Sequence, residues 1–324
     1  MLNPVHSPPL RSLLRTGICL ALTFLAVEAA SASATTALIE QAQENRAEEA
    51  TCAAGSEAAR DWEVAFARAQ TAFDQRAVGA AGALPAKGPI QASLECFRHA
   101  LRLAPDRFDV RVGLLHALLF EGEYAARSKD ERKQAFLEGR NLFEDTLDLL
   151  IRLTGTDFRK LKPEQVNRAM AGYEEARPIF FLGALHWGLW ADYFGTIAAV
   201  RSGVAKKIRV LAETTLIVTP DVHGGGAHRL MGRLHFLTPR IPFVTSWVDR
   251  KRSVSELEKA LSLGPTDPLN LAFLAEAVAE IGKDRKRAKE LLIAAVMAKP
   301  REGYWVEDLS AIEEAKKIQR ELRL

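Results

Sequence analysis

Apolar residues recur every three or four positions along most of the chain, the period of one helix face. Trp62, Val64, Phe66, Ala69 and Phe73 mark a helix from Ala59 to about Gln75. The Gly/Ala/Pro-rich stretch Gly79 to Pro89 reads as a loop, and Asp106 to Gly122 as a helix with Val112, Gly113 and His116 at packing positions. Lys133 to Leu153 carries Phe136, Leu142, Phe143, Leu147 and Leu150 at the same period. A helix starting at Lys162-Pro163 is expected to end before Pro178. The next, from Pro178 to about Val200, is apolar nearly all round, with Asp192 its one acidic residue, so it belongs in a core or against a cavity. Helices flank a polar, glycine-rich break at Pro220 to Gly226, one ending near Thr219 and one beginning near Gly226.

Within this pattern a frame repeats. Ser93, Phe97, Ala100 and Pro105 place a small residue, an aromatic four later, an alanine three later and a proline five later. Ser253, Leu257, Ala260 and Pro265 repeat it, as do Ala288, Leu292, Ala295 and Pro300. Pro300 lies 35 positions after Pro265, and the second helix of a tetratricopeptide repeat recurs about every 34. Small residues let two helices approach, the large one fills the gap between repeats, and proline stops the helix. Around Pro220 the frame is degenerate, with Ile208, Ala212 and Thr215 before it. The expected fold is all-α, a tetratricopeptide-like array of helical hairpins (an α-solenoid). On this frame His99 falls on the exposed side of its helix and His116 on the packed side.

Composition changes the picture in two ways. Of 324 residues, 48% are hydrophobic and 26% charged, enough for one or two cores. The net charge of +3, from 44 basic and 41 acidic residues, gives no strong field toward nucleic acid or a membrane surface. The N-terminus reads as an export signal: Arg11 and Arg15, an apolar run from Ile18 to Val27, then Ala32-Ser33-Ala34 as a cleavage site. Residues 1–34 are thus expected to be removed, 35–58 to form a loosely held leader, and 59–324 to form the helical domain of a periplasmic protein. If the signal is not cleaved, it anchors the chain to the membrane. Cys52 and Cys96 would then be a candidate disulfide, with a buried thiol at Cys96 as the alternative.

Candidate chemistry centres on Pro220 to His235. Gly224, Gly225 and Gly226 free the backbone for a turn and for close approach by another chain. Leading into a helix, with Arg229 and Arg233 beside them, they form a landing place for a carboxylate; the alternative is that they only let two helices cross. His223, His228 and His235 lack the His-Glu-x-x-His pattern of a zincin, so neither a metal nor a cofactor is assigned. No nucleophile motif or paired carboxylates stand out, and no enzymatic activity is expected. Trp187, Trp190, Tyr193 and Phe194 on one helix, with Trp247 and Trp305, could form a docking surface inside a concave array. The apolar stretch from Arg240 to Arg250 reads as a loop between repeats that covers this cavity or faces a partner.

Leu182-Gly-Ala-Leu-His-Trp-Gly-Leu-Trp190, the element Pro220 to Leu234, and Glu258 to Pro265 together resemble the T component of TRAP transporters. The resemblance spans roughly Pro178 to Leu291. It departs from the family in lacking a lipobox and in carrying Pro239 to Arg252 where a short Gly-Gly-Asp turn is usual. It implies an exported repeat protein that is trimeric and works with the solute-binding protein of an organic-acid transport system. The site would then be lined by Trp187, Trp190, Tyr193, His228, Arg229 and Arg233, and would take a small carboxylate or apolar ligand. The alternative function is a structural adaptor for envelope protein complexes, without a small-molecule ligand.

Overall fold

The computed structural model describes Cys52 and residues 61–195, 198, 202–241, 243 and 245–324. The expected signal peptide, and all of the leader except Cys52, lie outside the described residues. Within them the chain forms twelve α-helices and no strand. These are α1 (Trp62–Asp74), α2 (Lys87–Leu103), α3 (Phe108–Phe120), α4 (Lys129–Thr154), α5 (Pro163–Ala169), α6 (Ile179–Phe194), α7 (Val204–Val218), α8 (Gly226–Leu237), α9 (Arg250–Leu263), α10 (Pro268–Glu280), α11 (Arg285–Val296) and α12 (Trp305–Leu322). No described helix is long and apolar enough to cross a membrane.

Most helices adjacent in sequence pack against one another, the all-α array expected, while α5 packs on α7 instead of its sequence neighbours. Caps fix the ends. The Ser128 hydroxyl accepts from the Glu131 amide at 3.1 Å, which starts α4 four residues before the hydrophobic pattern does. Asp267 caps α10 just ahead of Pro268, which occupies the first turn where its missing N–H costs nothing. The recurring frame packs as its chemistry dictates. Ser93 is fully buried and its hydroxyl donates to the Ala69 carbonyl at 2.9 Å, binding α2 to α1. Phe97 fills the space beside Gly113 of α3, where an added Cβ would lie 2.3 Å from the ring. Leu257 of α9 meets Gly232 of α8 in the same manner, at 2.6 Å.

Three expectations change. His99 is buried rather than exposed. The helix from Pro178 stops at Phe194, because Gly195 turns away with φ of 92°. The helix from Lys162 breaks after Ala169 into a turn at Gly172 and a short 3-10 segment at Glu174–Ala176. Cys52 and Cys96 are joined by a disulfide, with Cα atoms 5.2 Å apart, which ties the segment before α1 to α2.

One large core joins side chains from α1 through α8 to Val306 of α12, and two smaller clusters hold α8–α10 and α10–α12. The last helix thereby returns to the first. Arg76, just after α1, donates to the Gly303 carbonyl and to Glu307 Oε1 at 2.8 Å. After α3, residues Glu121–Ala125 widen into a π-helical turn that also reaches α12. These contacts border the cavity described next.

Candidate functional site

A cavity of about 500 Å³ lies between the N-terminal helices and the returning C-terminal ones. One wall is the stripe Phe181, Ala184, Leu185, Gly188, Leu189, Asp192 and Tyr193 on α6, residues three and four apart that share a face. A second wall comes from α3 and its π-helical extension, with His116, Phe120, Glu123 and Tyr124. Opposite them stand Arg229, Leu230 and Arg233 of α8, Phe273 of α10, and Tyr304 to Glu314 around α12. Such a volume suits a small molecule, and most of the lining is aliphatic or aromatic.

The six ligand candidates divide. Tyr193, Arg229 and Arg233 line the cavity, whereas Trp187, Trp190 and His228 do not. The two tryptophans occupy the other face of α6, buried against α4 and α7. Trp187 Nε1 donates to Glu144 at 2.9 Å, with Lys207 Nζ 3.8 Å from the ring centroid. Arg140 lies over Trp190 at 4.7 Å, and Phe194 stacks on it at 5.0 Å. These are stacked cation–aromatic contacts whose rings are already occupied. His228 turns toward α9, where its Nδ1 is 2.7 Å from Glu256 Oε2.

The three histidines diverge. His235 Nδ1 accepts from the Asp249 amide at 3.0 Å and its ring packs on Trp247. His223 instead enters the cavity lining, edge-on to His116 at 5.5 Å and within 3.4 Å of the Tyr304 hydroxyl. Burial pushes His116 down to about 3, with His223 adding to the effect, and pushes His223 and His186 down to about 4. All three imidazoles are neutral at pH 7. Among the described residues no group of three or more His, Cys, Asp or Glu is placed to hold a metal ion.

The glycine-rich turn is packed shut on one side. Gly225 has φ of 88°, and a Cβ there would lie 2.6 Å from the Ala260 carbonyl oxygen of α9. Asn270, fully buried, donates through Nδ2 to the carbonyls of Gly224, Ala260 and Gly264 at 3.0 to 3.1 Å. Of the three glycines, Gly226 lines the cavity, while Gly224 and Gly225 face α9.

From this turn a chain of ion pairs crosses the cavity floor. Arg229 donates to Asn270 Oδ1 at 2.7 Å and to Asp267 Oδ2 at 3.0 Å. Arg301 shares Asp267 at 3.1 Å and pairs with Asp308 at 2.5 Å. Arg233 pairs with Glu276 and lies over Phe273, 4.0 Å from its centroid. Each arginine of the lining is thus held by a carboxylate of the protein. Deeply buried pairs of this kind chiefly fix geometry, because desolvation offsets most of their attraction.

No family model matches this chain, and no curated protein does. At the end where α6 meets the π-helical turn, the balance of charge reverses. Glu123 makes no ion pair or hydrogen bond among the described residues, and it retains accessible surface where it lines the cavity. Although its side chain is accessible, the protein packed around Glu123 raises it to about 7, against the pull of Arg132 and with Asp192 adding to the rise, and burial raises Asp192 to about 6. Tyr124 lies between the two ends and burial raises its phenol also. Sequence reading missed Glu123, Tyr124, Asp267, Asn270, Arg301 and Asp308. The available signal was Asp192, the one acidic residue on an apolar helix.

Proposed function

We propose that the chain is a non-enzymatic binding protein that encloses a small, largely apolar molecule in the cavity between α3, α6, α8 and α12. The single observation behind this is the concave space of about 500 Å³, apolar along α6 and α8 and polar at both ends. A concave, mostly apolar pocket with a few convergent polar groups is where small ligands bind. The recurring small–large–small–proline frame supports a tetratricopeptide-like array. The resemblance to the T component of TRAP transporters supports an exported, trimeric auxiliary subunit that meets a periplasmic solute-binding protein. Of the two ligand classes the sequence suggests, the apolar one suits the site better, because the arginines lining the cavity are already paired.

The test is native mass spectrometry of the protein purified from its own host, beside a Leu189→Trp variant that fills the cavity from the α6 wall. A small molecule carried by the wild type and absent from a folded variant supports the reading. An empty wild type whose protein partners are retained by the variant returns the chain to the structural-adaptor alternative.

A further inference from the structure

Two features of the cavity point in one direction. Its cationic side chains, Arg229, Arg233 and Arg301, are satisfied by Asp267, Asp308 and Glu276. Its Glu123 carboxylate and Tyr124 hydroxyl have no hydrogen-bond partner among the described residues. Glu123 keeps accessible surface and lines the cavity, so its charge is open to a ligand rather than held by a protein partner. Asp192 stands close enough to raise Glu123 electrostatically, and the rings of Phe120, Tyr124 and Tyr193 line the same end. A carboxylate edged by aromatic faces is the arrangement that receives an organic cation.

We infer that the ligand is an amphiphilic amine, whose ammonium group meets Glu123 beside Tyr124 and Tyr193 while its apolar body lies along Leu185, Leu189 and Leu230. The inference rests on the binding reading above and assigns it a ligand class. A carboxylate would meet repulsion from Glu123 and Asp192, with Arg132 opposing it, and the three arginines of the lining would have to release their partners first.

Charge sets the pH response. Facing Glu123 are Arg132 of α4, whose Nη1 donates to the Tyr193 hydroxyl at 3.1 Å, and Asp192 of α6. Beyond Tyr124 stand Glu307, Arg229 and Asp267, already ion-paired. His116 and His223 are neutral above about pH 5 and add nothing to the response there. Glu123 holds a proton through mildly acidic pH, so a bound ammonium competes with that proton. Amine affinity therefore rises as pH increases from 5.5 to 8, and acid affinity falls.

Isothermal titration of the purified protein with 4-phenylbutylamine, 4-phenylbutanol and 4-phenylbutanoate decides the matter. At pH 8 the amine binds about tenfold or more tighter than the alcohol, and it loses about tenfold at pH 5.5. Glu123→Gln removes most of the amine's advantage and leaves the alcohol within about twofold. The wild-type pH series stands whether or not that variant folds. Butanoate binding tighter than the amine, or an alcohol that binds as well as the amine at pH 8, overturns the inference and leaves the binding reading intact. Failure of all three to bind overturns both.

Discussion

Replacing Gly225 with alanine asks whether the glycine-rich turn is architecture or a ligand cradle. Its φ of 88° is one that residues with a Cβ adopt only with strain, about 1–2 kcal/mol. The new methyl would also lie 2.6 Å from the Ala260 carbonyl oxygen and 2.7 Å from its Cα, both backbone atoms of α9. Neither can rotate away, so α8 and α9 must separate, and over-packing of this kind costs about 1–3 kcal/mol. The total expected is about 2–5 kcal/mol. Gly82→Ala supplies the control: φ there is 65°, and nothing lies within 4 Å of the added Cβ, so it carries the conformational part alone. Urea denaturation of both variants measures the difference. An equal loss in the two would refute the close-approach reasoning, and a Gly225→Ala loss below about 1 kcal/mol would refute both parts.

Three further outcomes follow from the same geometry. Asp267→Ala strips the cap of α10 and leaves Arg229 without its ion pair in a nearly buried setting, a loss of about 3–5 kcal/mol by urea denaturation. Reducing the Cys52–Cys96 disulfide, whose partners are 44 positions apart, lowers stability by about 4 kcal/mol in the chain-entropy view, read as a lower unfolding midpoint in dithiothreitol. The imidazole proton resonances of His116, His186 and His223 stay in their neutral positions from pH 7.5 to about 5. Because these groups are held below their unfolded value of 6.5, each contributes a loss of stability as pH falls below it, about 2 kcal/mol by pH 5.

The helices were legible because their pattern is local. The frame at Ser93, Ser253 and Ala288 marked α2, α9 and α11, and each helix ends within four residues of its proline. Ends were read less well, for physical reasons. Gly172 and Gly195, both at positive φ, cut short stretches whose apolar content alone favoured continuation. Ser128 extended α4 backward by capping it. His99 was placed outside because its face follows the frame of one helix, while its burial depends on neighbours the frame does not specify.

The cavity was not legible for a different reason. Its walls are drawn from residues 73–124, 181–208 and 223–314, which no local period relates. Trp187 and Trp190 drew attention as aromatics on an apolar helix, yet the stripe through Leu185, Leu189 and Tyr193 is the one that faces the space. One helix carries both faces, and only tertiary packing separates them. Arg229 and Arg233 were correctly placed beside the glycine turn in sequence. Their carboxylate partners, Asp267 and Glu276, lie 38 and 43 positions further along and could not be paired with them from spacing.

The central claim is that this space holds a small molecule, and native mass spectrometry of protein from its own host tests it most directly. The account predicts a mass excess of one small molecule per chain, released on unfolding and lost in the Leu189→Trp variant. A wild-type chain of bare polypeptide mass that also fails to bind the phenylbutyl alcohol and amine would contradict it.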